Sequence, residues 1–292
     1  MMDYEVFREV VSERIKDFLP PIFSSYKVKI NTVRKVNEEK EALIMMPEKS
    51  GELTAMPNIY LDEMYEEFQK VEDLDVVLRL MAAMVIHYTG RFKPSEVDLD
   101  FKQKKDAIVM NLINTEKNRA LLEHVPHKDV LDLSIVYRII MAREDNGMAT
   151  VLITYEMMED MGMSQEELEQ IAYINTGKMF PVEIFKLSEF LYVMTNEAKV
   201  HGATTMMYKD AVKALAEKIG GDFYLIPSSI HEVMAKPEGT LDPKKLILML
   251  EEGNRTCCAE NEILSNTIYH YSVKKDCFSM AASYCTKEEM DI

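Results

Sequence analysis

The sequence predicts an α+β fold in which antiparallel hairpins carry helices packed on one face. Three times along the 292 residues, two apolar segments separated by a turn precede a helical pattern of apolar residues three and four positions apart. The three occurrences have no matching residues, which indicates recurring hairpin–helix units rather than a sequence repeat. Antiparallel sheets with helices on one face are the natural packing for such units.

Residues 1–95 are predicted to form an N-terminal helix–hairpin–helix subdomain. Val28 and Ile30 alternate with polar residues, as a half-buried strand requires, and an apolar run follows as the hairpin partner. Pro20-Pro21 ends the preceding helix, because proline lacks the amide hydrogen that a helix interior uses. The predicted elements are a helix over 3–19, a strand around 28–30, its partner Ala42–Met46, and helices over 62–70 and 74–88.

Residues 96–273 are predicted to form a C-terminal α+β subdomain, and residues 274–292 a disordered tail. A polar, irregular stretch between Gly90 and Lys105 separates the two subdomains. Small, polar and charged residues alternate from about Lys274 onwards, which favours disorder. The predicted strands are 108–113, the hairpin 131–141 with 148–154, the hairpin 190–195 with 203–208, and 222–226.

Local turn and capping signals set the boundaries in this second part. Asn146-Gly147 is the strongest hairpin-turn signal in the chain. Ser164 and Glu167 have the spacing of a capping box, and Asp242-Pro243 that of a helix start whose helix ends near Gly253. Gly220-Gly221 ends a helix and releases the apolar strand 222–226, which Pro227 stops.

Composition excludes several classes of partner. The 34 basic and 50 acidic residues give a net charge of −16, so we expect no nucleic-acid partner and no anionic membrane surface. No secretory signal or membrane-spanning run is evident, which predicts a cytoplasmic protein. All four cysteines lie in the last 36 residues, and reduced thiols are the simplest interpretation. The alternative is a zinc knuckle that includes His270.

The segment Pro227–Val233 concentrates the potential chemistry, with Ser228, Ser229, His231 and Glu232 after a buried strand. One hypothesis is a serine activated by a base, or a histidine–glutamate pair on a metal. The alternative is structural, because Ser229 and Glu232 also have capping-box spacing. A nucleophile elbow would need flanking glycines that are absent, and a zincin would need a second histidine at position 235, which is alanine.

Two further positions are candidate site residues. His127 follows a proline in a predicted loop, where an imidazole can act as a ligand, a base or a turn residue. Asn175 falls on the apolar face of its helix, where an amide needs partners, either structural ones or a ligand. No glycine-rich phosphate loop follows a strand, so we predict no cofactor, and because the second histidine of a zincin is missing we also predict no metal ion.

Several short motifs are shared with one known family. They are Pro126-His127, Asn175-Thr176, Phe180-Pro181, residues 191–196, Gly202-Ala203, Asp222–Val233 with its Pro-Ser-Ser-Ile-His-Glu-Val core, Leu264-Ser265 and Tyr269–Tyr271. On these motifs the chain resembles an uncharacterised bacterial family, a domain of unknown function, over nearly its whole length up to Tyr271. Asn266 stands where this family leads us to expect an aspartate, so no acid role is implied there. The resemblance implies a whole-chain unit without supplying a reaction.

We therefore expect a cytoplasmic bacterial protein that binds an unknown protein or small-molecule ligand and has no catalysis of its own. Its ligand-binding candidates are Asn175, Ser228, Ser229 and His231. The alternative is a hydrolase-type enzyme with catalytic candidates His127, Ser228, Ser229, His231 and Glu232. Whether His127 and His231 share one cleft decides between the two, and sequence spacing does not reveal it.

Overall fold

The chain folds into two compact units, residues 1–99 and residues 100–292. The computed structural model describes residues 2–48, 57–91, 101–144 and 147–283. Within these ranges every strand pair is antiparallel, and each unit has its own hydrophobic core. The predicted α+β class is confirmed. No helix in these ranges is both long and apolar enough to cross a lipid bilayer.

The described residues of the first unit form three α-helices and a three-stranded sheet that share one core. Its elements are α1 (Tyr4–Arg14), β1 (Lys27–Lys35), β2 (Glu38–Met46), β3 (Ile59–Tyr60), α2 (Leu61–Val71) and α3 (Leu74–Arg91), with strand order β1-β2-β3. Asp3 caps α1 by accepting a hydrogen bond from the Val6 amide at 2.9 Å. Phe7 of α1, Leu43 of β2 and Leu78 of α3 are fully buried in one core, as the predicted hairpin and helices require.

Two antiparallel sheets lie within the described residues of the second unit. The smaller sheet has β4 (Ile108–Asn114), β5 (His127–Val130), β6 (Leu133–Glu144) and β7 (Gly147–Leu152), with β6 pairing with the other three. The larger sheet has β8 (Val182–Ser188), β9 (Leu191–Asn196), β10 (Phe223–Ile226), β11 (Val233–Pro237), β12 (Thr267–Ser272) and β13 (Cys277–Ser283), in the order β13-β12-β10-β11-β9-β8. The helices are α4 (Arg119–Leu122), α5 (Tyr155–Asp160), α6 (Gln165–Met179), α7 (Lys209–Ile219) and α8 (Pro243–Cys257).

The predicted caps of the second unit form as expected. The Ser164 hydroxyl accepts from the Glu167 amide, and the Glu167 carboxylate accepts from the Ser164 amide, which completes the capping box of α6. Gly220 ends α7 in the left-handed region at φ 93°, which glycine adopts without steric cost. Strands β6 and β7 form the predicted hairpin, although Asn146 lies outside the described residues.

The predicted strand over Ala203–Tyr208 is wrong. Residues Gly202–Met207 form a 3-10 helix, and the hairpin partner of β9 is β8 on its other side in sequence. Ala203 and Met206 are both buried, and a spacing of three places them on one side of a 3-10 turn. The Thr205 hydroxyl donates to the Gly202 carbonyl at 2.6 Å, which further favours a turn over a strand.

The C-terminal boundaries also differ from the prediction. The chain from Cys277 to Ser283 is a strand, because Phe278 packs on the Tyr271 ring with 5.1 Å between ring centroids. Residues 284–292 of the predicted tail lie outside the described residues. Helix α8 continues past Gly253 to Cys257, since Asn254 is buried and its amide donates to the Ser265 carbonyl.

Candidate functional site

The Pro227–Glu232 loop, which connects neighbouring strands β10 and β11, lies against residues 262–265. The Ile230 amide donates to the Glu262 carbonyl at 2.9 Å. The amides of Leu264 and Ser265 donate to the Ser228 and Pro227 carbonyls, both at 3.1 Å. Phe223 and Leu225 of the preceding strand are fully buried, as predicted. The loop is therefore held at both ends, by the sheet core and by a second backbone segment.

Both ring nitrogens of His231 contact other groups of the protein. Nδ1 accepts a hydrogen bond from the His201 amide at 3.3 Å, and Nε2 lies 3.3 Å from Glu262 Oε1. Because Nδ1 is an acceptor, the proton of the neutral ring is assigned to Nε2, which donates to the carboxylate. The sequence indicated His231, but local patterns give no sign of His201 or Glu262.

His201 is fixed in an unusual backbone conformation beside His231. Its φ of 52° lies in the left-handed region, which non-glycine residues rarely adopt. The two imidazole centroids are 5.9 Å apart with an interplanar angle of 33°. The next residue, Gly202, leaves no room for a side chain, since a Cβ there would lie 2.1 Å from Thr195 Oγ1 and 2.3 Å from the His231 carbonyl oxygen. The chain thus approaches itself closely at this turn.

The charge state of His201 follows from its surroundings. Burial lowers the pKa of the His201 imidazole to about 4, and the positive charge of Arg138 and the neighbouring His231 add to the effect. His201 is therefore neutral at pH 7. A neutral imidazole can donate or accept a hydrogen bond without adding charge to the site.

Arg138 is a half-buried cation on β6, in register with Val109 of β4 and Leu152 of β7. Its Nη1 donates to Thr150 Oγ1 at 2.8 Å, while its Nε is buried and has no hydrogen-bond partner. Burial lowers the pKa of the guanidinium, and no carboxylate in the described ranges pairs with it. No recognisable motif surrounds this residue in the sequence, so sequence reasoning missed it.

The predicted hydroxyls and Glu232 do not assemble around the His231 ring. Ser229 Oγ accepts from the His231 amide at 3.0 Å, Ser228 is buried, and Glu232 is exposed. The predicted capping box at Ser229 is also wrong, because the loop runs straight into strand β11 and no helix begins there. The ring of His231 has the His201 amide and Glu262 as its partners instead of a serine hydroxyl.

Comparison with known proteins gives a family for the chain. The model of a family described as "Family of unknown function (DUF5688)" matches residues 4–191 and 188–273. The chain belongs to this family. No curated protein and no solved structure matches the chain.

A second polar cluster of this DUF5688 protein centres on Asp132. Its carboxylate accepts hydrogen bonds from the hydroxyls of Ser265, at 2.6 Å, Thr267, at 3.1 Å, and Tyr269. Burial and the negative charge of Asp132 raise the pKa of Tyr269 above its usual range, so the phenol stays protonated and donates. Asn266, the departure from the expected aspartate, accepts from the Asn254 amide through Oδ1 at 2.9 Å. The hydrogen bonds to Asp132 join β12 to the turn before β6 and stabilise the fold.

His127 has partners other than those of His231. Its Nδ1 lies 2.9 Å from the Val125 carbonyl, and its Nε2 lies 4.0 Å from Asp129 Oδ1. His127 is in register with Val136 on β6, two residues from Arg138, so it shares a sheet face with that arginine. Two cavities of about 510 Å³ and 460 Å³ open on the second unit, and both are lined by residues other than His127 and the 228–232 segment.

Asn175 holds helix α6 to the edge of strand β4. Its Nδ2 donates to the carbonyls of Lys105, at 2.9 Å, and Ile108, at 3.1 Å. The next residue, Thr176, accepts from the Met110 amide at 2.9 Å. Both donors of the Asn175 amide are thereby used by the backbone, which supports the structural interpretation of this residue.

We expect Asn175→Asp to destabilise the protein more than Asn175→Ala. Alanine removes two hydrogen bonds, at a cost of about 1–2 kcal/mol in the free energy of unfolding. Aspartate also places a negative charge against two carbonyl oxygens, which adds to that loss. Urea unfolding followed by circular dichroism measures both differences. Equal, near-zero effects for the two variants would show that the carbonyl contacts contribute nothing to stability.

Proposed function

We propose that this DUF5688 protein is a cytoplasmic binding protein without catalysis of its own, whose second unit binds a small anionic ligand at Arg138 and His201. The bacterial, cytoplasmic setting follows the expectation from the sequence. In the structure, Cys257, Cys258 and Cys277 are free thiols, which supports the cytoplasmic setting.

The observation that carries the proposal is that Arg138 has no carboxylate partner among the residues that the structure describes. The chain has 50 acidic residues and a net charge of −16, yet burial lowers the pKa of this guanidinium, and no carboxylate of the described residues offsets that shift. Removing an unpaired charge from water costs several kcal/mol, so buried cations ordinarily have a counter-charge. A carboxylate or phosphate ligand supplies one, and the buried, unpartnered Nε offers it a hydrogen-bond donor.

His201 suits the same ligand. Its neutral ring can donate a hydrogen bond to an anion, and Arg138 is close enough for its charge to lower the pKa of that ring. The hydrolase alternative is less favoured, because a serine nucleophile needs a base within hydrogen-bond reach. The His231 nitrogens contact His201 and Glu262, and Ser229 Oγ accepts from the backbone.

Anion-dependent thermal unfolding tests the proposal with inorganic phosphate, sulfate and citrate at low ionic strength. At least one of them is expected to raise the Tm of the wild type, since a ligand at ~100 times its Kd stabilises by about 2.7 kcal/mol. Arg138→Met should abolish the rise. Arg143→Met is the matched control, because Arg143 is an exposed arginine of the same strand that lies over the Phe180 ring.

Stability without ligand gives an independent readout. Removing an uncompensated buried charge should leave the ligand-free Arg138→Met protein as stable as the wild type or up to about 1 kcal/mol more stable. The proposal fails if none of the three anions at ~10 mM shifts the Tm of the wild type. It also fails if Arg138→Met and Arg143→Met respond to the anions alike.

A further inference from the structure

Three side chains at neighbouring strands of the larger sheet have potential metal-ligand atoms close to one another. They lie outside the Pro227–Glu232 loop. Asp222 precedes β10, Glu238 follows β11, and His270 lies on β12. The Glu238 amide donates to the Asp222 carbonyl, and Tyr224 of β10 pairs with His270, so the three strands are in register here. One carboxylate oxygen of each acid and one His270 ring nitrogen all lie within 4.8 Å of one another.

Nε2 of His270 makes no hydrogen bond, although a Glu238 carboxylate oxygen lies close to it. Nε2 lies 3.2 Å from Glu238 Oε1, but the approach is not aligned for a hydrogen bond. The atom is also closed off from solvent, and in the part of the chain that the structure describes it has no other partner. His270 Nε2 and Glu238 Oε1 therefore lie close together without a hydrogen bond between them. Two ligand atoms of one bound ion have this arrangement.

The charges around these atoms favour a cation. Asp222 and Glu238 each contribute a carboxylate, and so a negative charge, to this group of ligand atoms. Asp222 is oriented by the Val273 amide, which donates to its Oδ1 at 2.9 Å. Lys236 pairs with Tyr224 across the strands, yet its ammonium donates to the Phe190 carbonyl and lies over that ring.

We propose that Asp222, Glu238 and His270 bind one divalent transition-metal ion, of which Zn²⁺ is the representative. One imidazole nitrogen with two carboxylate oxygens is a ligand set that such ions accept, whereas Mg²⁺ and Ca²⁺ prefer oxygen alone. Ligand atoms around tetrahedral zinc lie about 3.4 Å apart, from bond lengths of about 2.0–2.2 Å. The Glu238 side chain is 50% exposed, so it can rotate to close the remaining distance.

This site differs from both expectations drawn from the sequence. The sequence predicted no metal, with a zinc knuckle of cysteines and His270 as the alternative. The structure places His270 beside two carboxylates, and its ligand group contains no thiol. The ion would join three adjacent strands, with its remaining positions open to water or to a small ligand.

Metal titration of the full chain tests the site. We expect the metal-free protein to bind one Zn²⁺ per chain by isothermal titration calorimetry and by elemental analysis after dialysis. Glu238→Gln and His270→Gln should each weaken binding at least about tenfold. Glu232→Gln and His127→Gln are matched controls, a carboxylate and a histidine of the same unit outside the group, and should bind as the wild type does.

The variants and a spectroscopic probe distinguish this site from the cysteines. Glu238 is half exposed, so its substitution is compatible with folding, which circular dichroism verifies. With Co²⁺ as the probe, we expect visible bands without a thiolate-to-cobalt charge-transfer band. The proposal is overturned if the wild type binds no Zn²⁺ at ~100 μM. It is equally overturned if Glu238→Gln and His270→Gln bind Zn²⁺ as tightly as the controls do, or if a thiolate band appears.

Discussion

Gly202→Ala is expected to prevent stable folding of the second unit, with a loss of at least about 3 kcal/mol in the free energy of unfolding. The added Cβ would lie 2.1 Å from Thr195 Oγ1, 2.3 Å from the His231 carbonyl oxygen and 3.0 Å from the Asn196 amide nitrogen. Two of these atoms are backbone, and Thr195 Oγ1 donates to the same His231 carbonyl at 2.8 Å. No rotamer change relieves such a contact, so the turn and its neighbouring strands must move apart.

Gly177→Ala is the matched control for this prediction. Gly177 is an exposed residue of helix α6, and a Cβ there would meet nothing within 4 Å. Alanine should therefore stabilise the protein by about 0.5–1 kcal/mol, because it restricts the unfolded chain and favours helix. Urea unfolding of both variants measures the two effects. A Gly202→Ala protein as stable as the wild type would show that the turn adapts without cost.

Lowering the pH is expected to destabilise the protein through His201. The pKa of its imidazole is about 4 in the folded chain and 6.5 when unperturbed. Well above pH 6.5 the ring is neutral in both states, and its contribution to stability is complete. As the pH falls from 6.5 to 4, the unfolded chain binds the proton first, so the free energy of unfolding decreases. Between pH 7.5 and pH 5 the loss from this group is about 2 kcal/mol.

His201→Asn isolates this effect from other titrating groups. Asparagine tolerates the left-handed backbone at this position, which has φ 52°, and it does not titrate. Urea unfolding at pH 7.5 and pH 5 should show a fall in stability for the wild type that is about 2 kcal/mol larger than for His201→Asn. The same fall in both proteins would place the titration elsewhere and give His201 an ordinary pKa.

Local signals in the sequence predicted much of the second unit. Ser164 and Glu167 form a capping box with their own backbone, and Gly220 ends its own helix, so each carries its information within a few residues. The strand that the sequence predicts over Ala203–Tyr208 is a 3-10 helix over Gly202–Met207, because apolar residues alone do not distinguish a buried strand from a buried 3-10 turn. The deciding fact is the close approach of Gly202 to Thr195 and His231, which belong to distant segments.

The site was predicted less well, for the same reason. His231 stood out in the sequence, but its ring partners lie 30 and 31 residues away, at His201 and Glu262. Arg138 lies on the other sheet of the second unit. It matters because it has no carboxylate partner in the described chain, and no local sequence pattern encodes that absence. The sequence suggests His270 as a possible partner of the cysteines, whereas strand register brings it to Asp222 and Glu238.

The contacts of Asn175 and Thr176 have a consequence for how copies of the protein behave toward one another. Strand β4 pairs with β6 on one side, and on the other its Ile108 carbonyl and Met110 amide are bound by these two side chains. Unpaired backbone groups of this kind form a template on which a strand from another molecule can add. Helix α6 occupies that template, so this edge of the smaller sheet is protected against intermolecular β-pairing and aggregation.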